Sequence, residues 1–548
     1  MLNKKDYVEK LDCILSDKSK FLVVQGDIYK IMLSLEEKLN RVLRPIKQHI
    51  GTTTYNVIRA CGSVPGKMYG LVKIHKNGYP LRPIVSSVGT FNYNLSKFLI
   101  SFLNPFASNQ YSLQNTADFI SQISLQSFSF PIVMASFDVV SLFTNVPLKE
   151  TNKIAIDKLY DSNYPKPFEK SIFTKLLDIA SSHSVFLFNS TLYKQIDGCS
   201  MGGPLSPTLA NLFMCHNESI WLQNCPAHFK PLFYRRYVDD CFLLFRDSSH
   251  VNLFLEYLNN QHPNIKFTSE IEVNHVLNFL DASIYFTGSN FKTSVYRKDS
   301  FTGLGLNFFS FLPISYKINS IKTLFNRAYN ICSSYESLHN EIVKLTDYFV
   351  SNSYPLKLIE STFFECLNKS RQPNLKQSTV PKLVKYIKLP YYGPISFEIR
   401  RNINKILKFK LNHVDFRIVF SNPCTIGSFF KIKDSTPCDV QSRVVYEYKC
   451  SSCNAGYIGS TSRSFKARRL GHMGRSIHTG RPLGKPEHSN IRLHSEAEDH
   501  PVNHSDFKIL HSLPDNVSLL IAESLYIGFN KPSLNNNVSS TELFTVHM

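Results

Sequence analysis

The 548-residue sequence is short of several things, and each shortage excludes a class of protein. No uninterrupted apolar stretch reaches the ~18–20 residues that a membrane-spanning helix needs, because polar side chains interrupt even Phe128–Leu142. The N-terminus opens with Lys4 and Lys5 but runs into acidic and polar residues rather than the apolar core of a signal peptide. Twelve cysteines are too sparse for a disulfide scaffold at this length. Ten of them are scattered and read as buried thiols of an intracellular protein, while Cys450 and Cys453 form a CxxC pair. Internal repeats and long low-complexity tracts are also missing. Acidic side chains are the last shortage: 42 Asp and Glu face 62 Lys and Arg, a formal charge of +20 that points to a polyanion partner, nucleic acid or an anionic membrane surface.

What is present suits several domains with real cores: 43% hydrophobic residues and 13% aromatics exclude a mainly disordered chain. Residues 1–60 carry apolar side chains at three-to-four spacing and read as an N-terminal helical region. From 61 to 295 short apolar runs are punctuated by Gly, Pro, Asn and Asp, the texture of strands, turns and helices. Residues 296–368 turn helical, with Ile321, Leu324, Phe325 and Ala328 on one face. The polar, proline-containing stretch 370–383 reads as a linker within a connector spanning 369–441. A further compact unit runs over 442–537, and 538–548 reads as a tail.

The segment FYRRYVDDCFLLF, 233–245, sets Asp239 and Asp240 between apolar runs, as in a hairpin with acids at its turn. Hairpin turns favour Asp, so this segment alone is also compatible with solvated turn acids. A second segment, ASFDVVSLFTNVP (135–147), closes an apolar run with Asp138. Strands lying side by side would converge three carboxylates, the donor set that hard divalent cations take together with water and phosphate. Two such ions ~3.5–4 Å apart activate a 3′-hydroxyl and stabilise a leaving pyrophosphate.

These residues carry a resemblance. YVDD at 237–240 resembles the catalytic box of reverse transcriptases, and FDVVSLFTNVP their first aspartate motif. GCSMGGPLSPTLANLFM (198–214) is similar to their glycine–proline turn and supporting helix, YGLVKIHKNGYPLRPIVSS (69–87) to the fingers hairpin, and FTSEIEVNHVLNFLDASI (267–284) to the later palm strands. The resemblance implies Asp138 and Asp239 as ligands of Mg²⁺ or Mn²⁺ with Asp240 as the supporting acid, and Lys73 and Arg82 on the triphosphate. It also implies Phe143 as the ring that excludes a ribose 2′-hydroxyl, and Gly202 and Gly203 at the close approach of a nucleotide. The basic, aromatic stretch 296–332 looks like the thumb of Penelope-like retroelement reverse transcriptases.

Near the C-terminus, VVYEYKCSSCNAGYIG (444–459) and the basic run SRSFKARRLGHMGRS (462–476) resemble the GIY-YIG nuclease module. The match implies Tyr446, Tyr457, Arg468, His472 and Asn535 as catalytic residues and Glu523 as the single metal-binding carboxylate; Val444 departs from the family's opening glycine. Arg468 and His472, one helical turn apart, could approach one phosphate, and Tyr446 or His472 would position or deprotonate water. Cys450 and Cys453 have the spacing of half a tetrahedral Zn²⁺ site, or are two reduced thiols; the candidate partners are His494 and His500, with His488 and His504 as substitutes, and a CxxC completed by two downstream histidines again resembles Penelope-like elements.

Over about 60–537 the chain is thus similar to a Penelope-like retroelement protein. The implied fold is α+β and multidomain: a right-hand polymerase with fingers, an antiparallel palm sheet and a helical thumb, plus a small α/β GIY-YIG domain. The implied function is an RNA-directed DNA polymerase whose nuclease nicks target DNA and so primes copying. Its partners would be an RNA template, an RNA–DNA hybrid, target DNA and dNTPs, with no membrane, and its site of action the nucleus. Three other readings stay open: a domesticated telomerase-like polymerase, a non-catalytic nucleic-acid-binding protein, and a nuclease with a decayed polymerase. Relatives carry more sequence ahead of the fingers motifs, which leaves a shortened copy open.

Overall fold

The computed structural model describes residues 3–74, 76–182, 185–371, 383–410, 414–422, 425–430, 432–486 and 488–535. It is α+β and divides into two compact units. One gathers the described residues of Met1–Asn109, Ser141–Ile220 and Ile432–Met548; the other holds Gln110–Val140 and Trp221–Lys431. No helix among the described residues is long and apolar enough to cross a membrane.

The first unit contains a five-stranded sheet in the order β1-β6-β5-β2-β3, from β1 (Phe21–Val23), β2 (Gly66–Val72), β3 (Leu81–Ser86), β5 (Val185–Phe188) and β6 (Thr191–Gln195). The helix Lys4–Leu15 is capped by Asn3, whose side chain accepts from the Asp6 N–H. Its Leu11 and Leu15 pack in one cluster with Phe21, Met68, Leu81, Val85, Phe186 and Phe188. The N-terminal region is therefore helical but not separate: β1 and this helix complete the sheet's core. The same unit holds an antiparallel three-stranded sheet, β16-β15-β17, made of β15 (Val444–Lys449), β16 (Gly456–Thr461) and β17 (Phe507–Ser512). Helices Phe465–His472, Asn490–Glu498 and Asn516–Asn530 belong with it.

The second unit is built on the four-stranded sheet β7-β8-β4-β9, with β4 (Val133–Val139), β7 (Phe233–Tyr237), β8 (Asp240–Phe245) and β9 (Phe267–Ile271). Beside it in sequence come β10 (Val276–Phe279), β11 (Ala282–Phe286) and β12 (Phe291–Val295), an antiparallel meander. Phe119, Phe242 and Phe279 form part of the core these strands share. Helices Ile314–Ile331, Tyr335–Ser351 and Leu356–Arg371 enclose a separate core in which Ile321, Phe325 and Ala328 are fully buried and Leu324 partly so.

Two expectations change here. The connector 369–441 holds a βαβ unit: parallel strands β13 (Leu383–Pro390) and β14 (Val414–Ser421) joined through the helix Ile395–Lys410. Ile387 and Leu389 alternate with charged residues and meet Ile418 and Phe420, an apolar face that the polar run ahead of it obscured. Most of the expected linker, 372–382, and the tail 538–548 lie outside the described residues. The ten scattered cysteines are not uniformly buried either: Cys13 and Cys438 are exposed and Cys61 and Cys332 half-buried, because they stand at positions the cores do not use. Cys424 lies outside the described residues.

Candidate active sites

Register decides the first site. In the antiparallel β4–β8 pair Asp138 stands directly opposite Asp240, and both are exposed at the same end of the sheet. Tyr237 pairs with Asp240, so Val238 and Asp239 alone make the β7–β8 turn. The Asp239 carbonyl accepts from the Val139 N–H at 3.0 Å, which ties that turn to β4. Like charges directly opposite on adjacent strands repel, and a third carboxylate on the neighbouring turn adds to the cost. The three carboxylates form an all-oxygen donor set of the kind a hard divalent cation takes, standing at one sheet end without their oxygens all lying within 4.8 Å of one another.

The turn itself is strained. Val238 has φ +58°, a left-handed conformation in which a β-branched residue is a genuine outlier. It is held by Arg236, 1% exposed, whose Nη1 donates to the Val238 carbonyl at 2.9 Å. The Arg236 backbone is pinned in turn, donating to Tyr111 and accepting from Leu113, both at 2.8 Å. Sequence reasoning missed Arg236. The available signal was a charged residue at an inward position of an alternating strand.

The other polymerase candidates lie in the first unit. Arg82 is exposed on β3 opposite Leu71, and Lys73 follows the end of β2, its N–H donating to Pro80 at 2.9 Å. Phe143 is half-buried in the short helix Leu142–Asn145, and its carbonyl accepts from the Cys199 N–H at 2.7 Å. Gly202, at φ +116°, has room only for hydrogen: a Cβ would stand 2.5 Å from the Val85 carbonyl oxygen. The chain brought close by Gly202 is β3 itself, and the adjacent Gly203 is crowded by the Ser200 and Ser206 hydroxyls.

The second site is a buried network on β15. Tyr446 has no exposed surface, and its hydroxyl meets His472 Nε2 at 2.6 Å and accepts from Arg468 Nε at 2.9 Å. Arg468 and His472 thus converge on a tyrosine hydroxyl. Burial, together with the Arg468 charge, lowers His472 to about 3, so the imidazole is neutral. Because Arg468 donates to Tyr446, the phenol hydrogen points to Nε2; Nδ1–H then donates to Ser489 Oγ at 2.7 Å, a tautomer assigned from the network. Burial also pushes the Tyr446 phenol up. Gly459 lies opposite Tyr446, where a Cβ would come 2.7 Å from its hydroxyl.

Around this network, Ser460 Oγ donates to Glu523 Oε2 at 2.7 Å. Tyr457 packs its ring 5.6 Å from His472. Asn535 clamps the Ile458 peptide with both ends of its amide, accepting at 2.9 Å and donating at 2.8 Å, which makes it a positioning residue. Val444, at the family's glycine position, is fully buried.

Cys450, Cys453, His494 and His500 bring their ligand atoms within 4.8 Å of one another; among the described residues no other group of three or more His, Cys, Asp or Glu does so. Zn–S and Zn–N bonds of about 2.3 and 2.0–2.1 Å imply tetrahedral edges of roughly 3.3–3.8 Å. The pairs measure 3.6 Å for Cys450–His500, 3.3 Å for Cys453–His494 and 3.5 Å for His500–His494. Burial works to raise the Cys450 thiol, but hydrogen bonds from His494 and from the Cys453 and Ser452 backbone prevail and lower it to about 6. A soft donor set of two thiols and two imidazoles at this size fits Zn²⁺.

The charge of the helix Phe465–His472 is partly used inside the protein. Lys466 bridges Asp27 and Asp439 at 3.1 and 3.2 Å and lies over the Tyr29 ring, while Arg469, 9% exposed, pairs with Asp439. Both side chains therefore meet Asp439, and Lys466 also reaches the N-terminal end of the helix Ile28–Leu43.

Against known families, residues 74–305 match the reverse transcriptase (RNA-dependent DNA polymerase) family. The chain carries a reverse transcriptase domain, and Arg82, Asp138, Phe143, Gly202, Gly203, Asp239 and Asp240 fall within it. Residues 304–364 match the animal helix-turn-helix domain, a family that sequence reasoning did not foresee. No curated protein matches in sequence. Among solved structures, a truncated apo telomerase from Candida tropicalis is 12% identical, with 53% of this chain and 60% of that one covered at a TM-score of 0.35. Telomerase from Candida albicans in complex with a fragment of telomeric RNA is 11% identical, covering 66% and 58% at 0.39. The Sicinivirus RNA-dependent RNA polymerase is 12% identical, covering 58% and 71%, also at 0.39. The chain spans about three fifths of the length of these telomerases.

Proposed function

We propose that this chain is the RNA-directed DNA polymerase of a Penelope-like retroelement, of right-hand architecture, coupled to a GIY-YIG endonuclease. The observation that carries the polymerase reading is the register that sets Asp138 opposite Asp240 beside the Asp239 turn, inside the reverse transcriptase match. Asp138 and Asp239 hold divalent ions with Asp240 in support. Bound Mg²⁺ or Mn²⁺ supplies activation of the 3′-hydroxyl and stabilisation of pyrophosphate. Arg82 and Lys73 neutralise the triphosphate, Phe143 excludes the 2′-hydroxyl, and the helices of 304–364 serve as a thumb on the RNA–DNA hybrid.

In the nuclease, Glu523 holds one divalent ion, oriented by Ser460, and Arg468 stabilises charge on the scissile phosphate. Tyr446 and His472, both without free surface, fix Arg468 rather than touch water. That leaves Tyr457 as the accessible hydroxyl at the site. The Cys450, Cys453, His494, His500 cluster holds a structural Zn²⁺. Nicking target DNA in the nucleus exposes the primer end. The test is primer extension on an RNA template alongside DNA nicking: Asp239→Asn abolishes extension and Glu523→Ala abolishes nicking only. Extension by Asp239→Asn at the parent rate would overturn the polymerase assignment.

A further inference from the structure

Parallel strands are almost always covered on both faces, yet among the described residues the β13–β14 pair is covered on one. Ile387 and Leu389 of β13 and Ile418 and Phe420 of β14 pack with Tyr391, Phe397 and Ile403 toward the helix Ile395–Lys410. Side chains alternate, so Tyr386, Lys388 and Arg417 stand on the opposite face. Tyr386 is 65% exposed, and it is the direct partner of Arg417 in the register. Lys388 is exposed one pair further on, beside Val419. Arg417 is also bound to Asp415, two residues before it on the same face, at 3.0 Å. The unit is also strongly basic: residues 383–421 hold eight Lys and Arg (385, 388, 400, 401, 405, 408, 410 and 417) against Glu398 and Asp415, so 8 − 2 gives +6.

We propose that this open face of β13–β14 is a binding platform for single-stranded nucleic acid, separate from both catalytic centres. A base stacks on Tyr386, while Lys388 and Arg417 meet the phosphates on either side. Stacking on an aromatic ring tolerates any base, and flanking cations track the backbone, which is the combination sequence-independent single-strand binding requires. Charge complementarity selects this occupant. A protein strand added to the open edge of β13 or β14 would use backbone groups and have no need of the tyrosine or the two cations. The inference does not depend on the polymerase reading, since the face recognises a strand whatever the chain does with it.

Ultraviolet cross-linking of a short oligouridylate to the full chain, with the adducts mapped by mass spectrometry, tests it, paired with fluorescence anisotropy over a salt series. Adducts are expected on 383–390 or 414–421, and Tyr386→Ala should remove them while adducts elsewhere persist. Where this face dominates binding, the same change weakens affinity at least about fivefold. Lys388→Gln with Arg417→Gln should lower the salt slope by about 1.4, near 0.7 for each lost phosphate contact. Lys405→Gln, on the helix of the same unit, removes the same charge as Lys388→Gln and should leave the adducts in place. An empty cross-linking map over 383–421 overturns the proposal, as does an equal loss in Lys405→Gln and Lys388→Gln, which would mean charge without a platform. Circular dichroism of each variant, all four side chains being exposed, shows that the fold is intact.

Discussion

Arg236 commits a buried guanidinium to the carbonyl of the strained Val238, and so fixes where Asp239 points. A hydrogen bond from a charged donor contributes ~1.5–3 kcal/mol, so Arg236→Met is expected to cut primer extension by about 10- to 150-fold. The Mg²⁺ concentration for half-maximal rate should rise, because the carboxylate geometry and not the nucleotide contact is lost. A Mg²⁺ response identical to the parent would contradict this role. His472 makes a second residue-scale prediction. Its folded pKa of about 3 lies below the ordinary value near 6.5. Below about pH 6.5 the unfolded chain binds a proton that the folded chain does not, so stability falls as pH falls, by about 1.4 kcal/mol for each pH unit down to about 3. Above pH 7.5 the residue contributes no slope. Hydrogen exchange of the β15 amides between pH 5 and 7.5 should show this loss in the parent and a flatter response in His472→Gln.

At the scale of elements, the hairpins carry the candidate site residues and small devices hold them. The two-residue turn between β7 and β8 delivers Asp239, and the CxxC turn between β15 and β16 delivers Cys450 and Cys453 toward His494 and His500 of a distant segment. Because Tyr446 and Gly459 pair across those same strands, removing the proposed Zn²⁺ should be felt at the Tyr446 network. Treating the full chain with a strong chelator of zinc, or substituting Cys453→Ser, is expected to expose the β15–β16 turn to hydrogen exchange and to lower nicking at least tenfold. Primer extension should stay within about twofold. Stoichiometric zinc in the parent and its absence in Cys453→Ser are read by metal analysis. The βαβ unit shows the limit of sequence reading at this scale. Its apolar positions are few, and a polar run precedes them, so composition outweighed periodicity.

For the whole molecule, the +20 charge divides into functional and internal parts. Lys466 and Arg469 are engaged by Asp27 and Asp439, which joins the helix Phe465–His472 to the start of the helix Ile28–Leu43 within one compact unit. Tyr29 adds a hydrogen bond to the Ile477 carbonyl at 2.9 Å, and Ser442 one to Gly62 at 2.6 Å. The Lys466 and Asp27 side chains are 25% and 38% exposed, so screening limits their pairing to about 0.5–1 kcal/mol. A double-mutant cycle with Asp27→Asn and Lys466→Met, read by thermal melting, should return a coupling of that size. A coupling of zero would mean that the Asp27–Lys466 pair does not help to join the two segments.

Sequence by itself singled out the candidate site residues. Asp138, Asp239 and Asp240, the CxxC pair with its histidines, and the basic excess were all legible, because donor type and short-range spacing are written in the chain. Tertiary structure alone decided what each of them faces. The 0% exposure of Tyr446 and the two-sided engagement of Asn535 depend on strands and helices far apart in sequence. So do the use of Gly202 for packing against β3, the internal pairing of Lys466, and the open face of β13–β14. Burial and pairing arise from contacts between remote segments, and no local pattern of residue types encodes them.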